Sequence, residues 1–361
     1  MNHRSAIYYW KCDRPAAFHG TDEAVNRQAY EDDLRIVMQQ CFPGRSFHLR
    51  PAAGQGNHIT WLAAIDGADY FIRIEDGPEK DDYLEIESRL LIEMAALAVP
   101  APKVYGVDAG RRLVPFAWQV LEFIPYPDLN QLLKQGRLDV ENVAERIGAA
   151  VARWQKLPVS GFGPFDSDLL RRESRLQGFH SRYEDYFFLH LDRHLKYLVH
   201  GHFLTVQEAE EMKDEIQRYR DLLVLAQGCL VHKDLALWNI LGSEKEILAF
   251  IDWDDAIGGD PMDDLSLLGC FYDGAVLERA LQGYAAVRPL PSEYRKRFWL
   301  HLLRNMIVKS VIRLAAGYFN RTDRFFLINA GGNGADLRAF TRQRLAAAVV
   351  GLRENQAIEN L

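Results

Sequence analysis

The most constraining stretch of this 361-residue chain runs from residue 230 to residue 254. Leu230-Val231 leads into His232-Lys233-Asp234, Asn239 stands immediately before Ile240-Leu241, and Phe250-Ile251 leads into Asp252-Trp253-Asp254. Short apolar runs of this kind read as strands. One carboxylate, an amide and a second carboxylate are therefore carried to loop ends, where one cleft edge can gather them. A carboxylate and an amide oxygen suit Mg2+, which takes hard oxygen ligands. A further carboxylate beside a hydroxyl can orient it and receive its proton. Asn239 and Asp252 are the candidate metal ligands and Asp234 is the candidate base, the set that metal-assisted phosphoryl transfer requires.

The rest of the chain divides by texture. Residues 47–50, 59–65 and 70–74 alternate like strands around Gly54-Gln55-Gly56-Asn57 and Asp66-Gly67, predicting a small antiparallel sheet. Period two places Tyr70, Ile72 and Ile74 on one face and Phe71 and Arg73 on the other. Residues 81–98 read as a helix with a stripe of Leu84, Leu91, Met94, Leu97 and Ala98 and Glu87 at its flank. Strands over 103–107 and 116–123 follow, and Pro125 and Pro127 mark a crossing. Beyond it the pattern is helical, with strands expected only at 229–231, 240–241 and 248–251. Thr205 and Glu208 form a capping box, and Asp260-Pro261 reads as a helix start with Asp263 and Asp264 in its first turn.

Length alone argues for two lobes with a cleft. Lys and Arg number 43 against 50 Asp and Glu, a net charge of −7, so no nucleic-acid footprint is present. Four cysteines without metal or disulfide spacing fit a reducing cytoplasm. Charges throughout the first thirty residues and no long apolar run argue against export or a membrane partner.

The residues His232-Lys233-Asp234, Asn239, Ile251-Asp252-Trp253 and Gly259-Asp260-Pro261 with Asp264-Leu265 resemble the aminoglycoside phosphotransferase and choline kinase-like family of small-molecule kinases. The resemblance spans roughly residues 47–270. It implies an α+β, bilobal, protein-kinase-like fold: an extension of unknown role (1–46), a nucleotide-binding lobe with connector (47–124) and a helical lobe for catalysis and acceptor binding (125–361). It implies Asp234 as base, Asn239 and Asp252 on Mg2+, and Gly54, Gln55, Gly56 and Asn57 over the phosphates of ATP or GTP. Arg73 and Glu87 would be the phosphate-contacting cation and its helix partner, and the backbone of Glu122 and Ile124 would meet adenine. The expected partner is a small-molecule hydroxyl acceptor, with net charge favouring a cationic or neutral one; nothing in the pattern assigns an oligomeric state.

Arg73 replaces the lysine common in relatives, Lys233 and Trp238 stand where glycines are common, and Ala236 where histidine is. These departures motivate the alternative of a nucleotide-binding pseudokinase, against which Asp234, Asn239 and Asp252 all speak. A protein kinase proper is disfavoured because Asp-Phe-Gly and Ala-Pro-Glu are absent. Lys233 is expected to act on Asp234 or on the acceptor. His232 is expected to bind loop backbone, Asp254 and Asp255 to face solvent or an amine, and Tyr183, Tyr186, Phe187 and Phe188 to be core or cleft wall rather than a ligand cage.

Overall fold

The computed structural model describes residues 3–13, 27–52, 59–77, 80, 82–323 and 332–361. Among these, β1 (His48–Pro51), β2 (Ile59–Ile65), β3 (Ala68–Glu75), β4 (Val104–Asp108) and β5 (Ala117–Glu122) form an antiparallel sheet in the order β1-β2-β3-β5-β4. Asp66 and Gly67 close the β2–β3 hairpin with φ of 51° and 83°, the paired positive values of a tight turn whose twist matches its strands. Tyr70, Ile72 and Ile74 pack with Leu34, Val37 and Met38 of helix Glu31–Cys41 and with Trp61, Phe116 and Trp118. On the other face Arg73 and its β5 neighbour Gln119 look toward helix Tyr83–Ala96, where Gln119 Nε2 donates to Ser88 Oγ at 2.8 Å.

That helix ends earlier than its apolar stripe predicts. Leu97 caps it, and Ala98 is exposed with φ of 54°. Glu87, expected at the flank, is buried because its carboxylate serves two donors described below.

The large lobe is helical but holds more strand than its sequence suggests. β6 (Phe162–Phe165), β7 (Gly178–His180) and β11 (Ile257–Gly259) join β8 (Cys229–Val231) in an antiparallel sheet ordered β7-β6-β11-β8. Three of these strands are three residues long, and the added ones are glycine-rich, so no alternation of four or more residues betrays them. The glycine is required: a Cβ on Gly258 would stand 2.7 Å from the carbonyl oxygen of Gly161. β9 (Ile240–Gly242) and β10 (Ile247–Phe250) make the hairpin that follows the Asp234 loop.

Thr205 and Glu208 form the predicted capping box. The helix at Asp260-Pro261 begins late, at Asp263; Asp260 instead accepts from the Met262 amide at 2.9 Å and pairs with Arg297 at 2.5 Å. Helix Tyr294–Ala315 is buried almost without interruption from Phe298 to Val311. Among the described residues no helix is long and apolar enough to cross a membrane.

Residues 3–13 are bound into the large lobe. Tyr186 donates its hydroxyl to the Tyr8 carbonyl at 2.6 Å, and His190 Nε2 lies 2.7 Å from the Ala6 carbonyl. The Tyr8 ring stacks on Tyr186 at 4.8 Å, with the Arg304 guanidinium 3.7 Å from its centroid. Asp13 accepts from the amides of Tyr8 and Tyr9 at 2.9 and 3.1 Å, from His194 Nε2 at 3.0 Å and from Arg193. Tyr183, Tyr186 and Phe187 are core, as expected, and Phe188 is half-buried at its edge.

Candidate active site

The loop leaving β8 is clamped from below by Asp264, which accepts the amides of His232 and Lys233 at 2.9 and 3.0 Å and Trp154 Nε1 at 3.1 Å. Burial pushes Asp264 up to about 7. Asp263 and Asp264 thus hold buried partners rather than only favouring a helix start. His232 is structural, as expected: its Nε2 lies 3.0 Å from the Ile251 carbonyl and its Nδ1 faces the Asp234 amide at 3.3 Å. Burial lowers its pKa, so the neutral ring with hydrogen on Nε2 suits both contacts.

Asn239 joins the two chemical loops. Its Nδ2 donates to the Asp234 carbonyl at 2.8 Å and to Asp234 Oδ2 at 3.2 Å, while its own carbonyl accepts the Ile251 amide at 3.0 Å. Asp252 follows at once, with φ of 68°. Arg73 reaches it across the cleft, donating to Asp252 Oδ1 at 3.2 Å and lying 3.7 Å from Asp254 Oδ2. The third carboxylate on Arg73 is Glu87, whose other oxygen accepts the Trp253 amide at 3.2 Å. Burial alone would weaken the Arg73 charge, but Glu87, Asp252 and Asp254 hold it firmly. Asp234, Asn239, Asp252, Arg73 and Glu87 therefore form one connected site.

Glu122 ends β5 and spends its carboxylate on the Lys103 amide at 3.1 Å. The Ile124 carbonyl accepts the Tyr126 amide at 2.8 Å. Gly54, Gln55, Gly56 and Asn57 lie outside the described residues. With Nδ2 committed to Asp234, Asn239 has its amide oxygen to offer, and Asp252 adds a carboxylate; both are hard donors that fit Mg2+. Among the described residues no three His, Cys, Asp or Glu form a metal cluster by themselves.

Lys233 corrects the expectation that it acts on Asp234. Its backbone adopts φ of 69°, a conformation that glycine takes without cost, and its buried ammonium turns away. Nζ reaches Asp263 at 2.8 Å, Asn305 Oδ1 at 3.1 Å and Tyr8 Oη at 3.2 Å. The groups that meet Asp234 come from elsewhere. Tyr9 donates its hydroxyl to Oδ1 at 2.7 Å, Lys309 donates to the same oxygen at 3.1 Å, and Lys11 Nζ lies 3.7 Å from Oδ2. Burial opposes ionisation, but Lys309, Lys11 and the Tyr9 hydroxyl hold the carboxyl far below the ordinary range. Asp255, half-buried beside Asp254 and Asp234, is pushed up to about 7 by burial and by those two acids. Asp254 is engaged by Arg73, and its carbonyl accepts Arg4 at 3.3 Å, so this pair is not a solvated loop.

Tyr9, Lys11 and Lys309 escape a reading by spacing because they lie more than seventy residues from Asp234. Two signals mark them: an aromatic run Tyr8-Tyr9-Trp10 in a polar segment, and Lys309 inside the apolar run Met306-Ile307-Val308 to Val311-Ile312.

A family model, the phosphotransferase enzyme family, matches residues 48–297. Hygromycin-B 4-O-kinase of Escherichia coli is 25% identical over 210 residues, covering 54% of this chain and 54% of its own length, so the chain spans about half of that curated relative. Among solved structures, aminoglycoside phosphotransferase APH(4)-Ia superposes with a TM-score of 0.61 at 17% identity, over 88% of this chain and 98% of that one. Macrolide 2'-phosphotransferase MphH from Brachybacterium faecium gives 0.52 at 18% identity, over 88% and 98%. These likenesses show the α+β, bilobal, protein-kinase-like fold. With the matched model covering well over half of its residues, the chain belongs to the phosphotransferase enzyme family.

Proposed function

We propose that this protein is an ATP-dependent, Mg2+-assisted O-phosphotransferase that moves a γ-phosphoryl group to a hydroxyl of a small polar molecule. The observation that carries the reading is Asn239, which ties the Asp234 carboxylate to the backbone just ahead of Asp252. A base and two oxygen ligands thereby share one rigid corner. ATP as donor is supported by structures of APH(4)-Ia in ternary complexes with ADP or AMP-PNP and hygromycin B. The lobe of residues 47–124 would hold the nucleotide, with the backbone of Glu122 and Ile124 at adenine, and residues 125–361 the acceptor.

Asn239 and Asp252 would hold Mg2+, which supplies charge neutralisation across the donor phosphates. Arg73, fixed by Glu87, presents a guanidinium that binds phosphate bidentately. Asp234, kept ionised, accepts the acceptor's O–H, points the oxygen lone pair at phosphorus and receives the proton as the new bond forms. Positioning and charge, rather than covalent chemistry, supply the rate.

The test is Mg-ATP consumption by the whole chain across a panel of aminoglycosides, macrolides, sugars and amino alcohols. Acceptor-stimulated ADP release supports the reading. Nucleotide binding with no stimulated release by any member would instead establish the pseudokinase.

A further inference from the structure

Most cations near the site are already committed within the chain. Arg73 is held by Glu87 and Asp252 on the nucleotide side of the site, and Lys233 is bound to Asp263, Asn305 and Tyr8. Lys309 is shared between Asp234 Oδ1 and the Tyr9 hydroxyl at 3.1 and 3.2 Å. Past Asp234 the catalytic loop continues as Leu235-Ala236-Leu237, buried and without a charge.

Lys11 is different. It stands on the short helix Trp10–Asp13, and its side chain is 37% exposed. Among the described residues its one ion pair is the 3.7 Å approach to Asp234 Oδ2, too long for a hydrogen bond. Its ammonium therefore has donors to offer at the cleft. The segment that carries it is not loose: Tyr8 is wedged against Tyr186 and Arg304, and Asp13 is tied to His194.

The lone pairs of Asp234 say where an acceptor must sit. Oδ1 is filled by Tyr9 and Lys309, while among the described residues Oδ2 takes only Asn239 Nδ2 at 3.2 Å within hydrogen-bond range. A carboxylate oxygen has two acceptor sites, so the incoming hydroxyl goes to Oδ2, the oxygen beside Lys11. Asp252, Asp254 and Asp255 act on the same ammonium after Asp234, and together they keep it charged.

We propose that Lys11 contacts the phosphoryl group during transfer, its ammonium neutralising the oxygens of that group between the metal-loop acid Asp252 and the acceptor held on Asp234 Oδ2. The proposal rests on the phosphotransferase reading above. In the step it serves, the acceptor oxygen bonds to the γ-phosphorus, and the bond from that phosphorus to the bridging oxygen breaks. The electron pair leaves on the nucleoside diphosphate, and the hydroxyl proton passes to Asp234. Lys11 gives up no proton and supplies charge only, in the manner of cations aimed at developing negative charge. Lys11 lies outside the 48–297 family match, so this would be an addition made by the chain's own N-terminal segment.

Aluminium fluoride with Mg-ADP tests it, because the planar fluoride mimics the transferring group and needs no knowledge of the acceptor. In the whole chain, fluoride is expected to tighten Mg-ADP at least tenfold. Lys11→Ala should keep Mg-ADP affinity within twofold yet lose most of the tightening, and Lys11→Arg should retain it; Lys11→Gln, closer in size, should behave as Lys11→Ala. Equal tightening in Lys11→Ala and parent overturns the assignment and leaves the phosphotransferase reading intact. A parent that binds Mg-ADP but shows no tightening also overturns it, whereas a parent that binds no Mg-nucleotide overturns both.

Discussion

The hydroxyl of Tyr9 donates to Oδ1 of Asp234 at 2.7 Å, joining residues 225 positions apart. Hydrogen bonds to an ionised group contribute about 1.5–3 kcal/mol, and here that free energy holds a carboxylate rotamer. Tyr9→Phe is therefore expected to lower kcat about tenfold or more with the nucleotide KM unchanged, because Lys309 still holds the same oxygen. Steady-state kinetics on any acceptor turned over by the parent gives the split. An unchanged kcat would show that the contact positions nothing.

Lys233 and Asp263 form a buried ion pair at 2.8 Å. Removing one partner of such a pair costs about 3–5 kcal/mol, because the other charge stays buried alone. Lys233→Met should lower the thermal midpoint strongly, and Asp263→Asn added to it should restore part of the loss. Lys233→Gly relieves the left-handed backbone by about 1–2 kcal/mol, less than the stranded carboxylate costs, so it too should destabilise. A midpoint higher than the parent's would contradict this ordering.

In the proposed reading Asp252 is a ligand of Mg2+. Asp252→Ala should abolish the Mg2+-dependent part of ATP affinity while leaving the Mg2+-independent part within a few-fold, read by calorimetry with and without Mg2+. The same Mg2+ dependence in parent and variant would remove Asp252 from the ligand set.

The anchor of residues 3–13 should respond to acid. Burial lowers His194 from 6.5 to about 4, with Arg304 and Arg193 adding to the effect and Asp13 opposing it. The unfolded chain then binds more protons than the native one between pH 6.5 and about 4, so stability falls as pH drops through that window. Asp13, which burial would raise, is held at about 2 by His194 and the Tyr9 amide, against 3.8 unperturbed. Its contribution is present above 3.8 and is lost as pH falls toward 2. The His194 effect is on the order of 1–3 kcal/mol. Denaturation at pH 7 and pH 5 should show a stability difference that His194→Gln diminishes; an equal difference in the variant would rule His194 out as the source.

Asp234, Asn239 and Asp252 were legible in the sequence because each stands at the end of an apolar run, where hairpin geometry decides its position. The small sheet was legible for the same reason, since β2 and β3 are seven and eight residues long. β6, β7 and β11 were not, because close backbone approach replaces side-chain alternation in strands of three or four residues. Tyr9 and Lys309 were hidden by sequence distance: only tertiary packing brings a residue-9 hydroxyl and a residue-309 ammonium to one oxygen. Lys233 misled because its neighbour in sequence is Asp234, while a left-handed backbone sends its side chain to Asp263.

The most direct measurement is the mass of the acceptor after incubation with Mg-ATP, comparing the parent with Asp234→Asn at matched nucleotide binding. The account predicts a singly phosphorylated product from the parent, a loss of about a hundredfold or more in the rate of its formation by Asp234→Asn, and ATP affinity within a few-fold in both. A variant that forms the product at the parent's rate would contradict it.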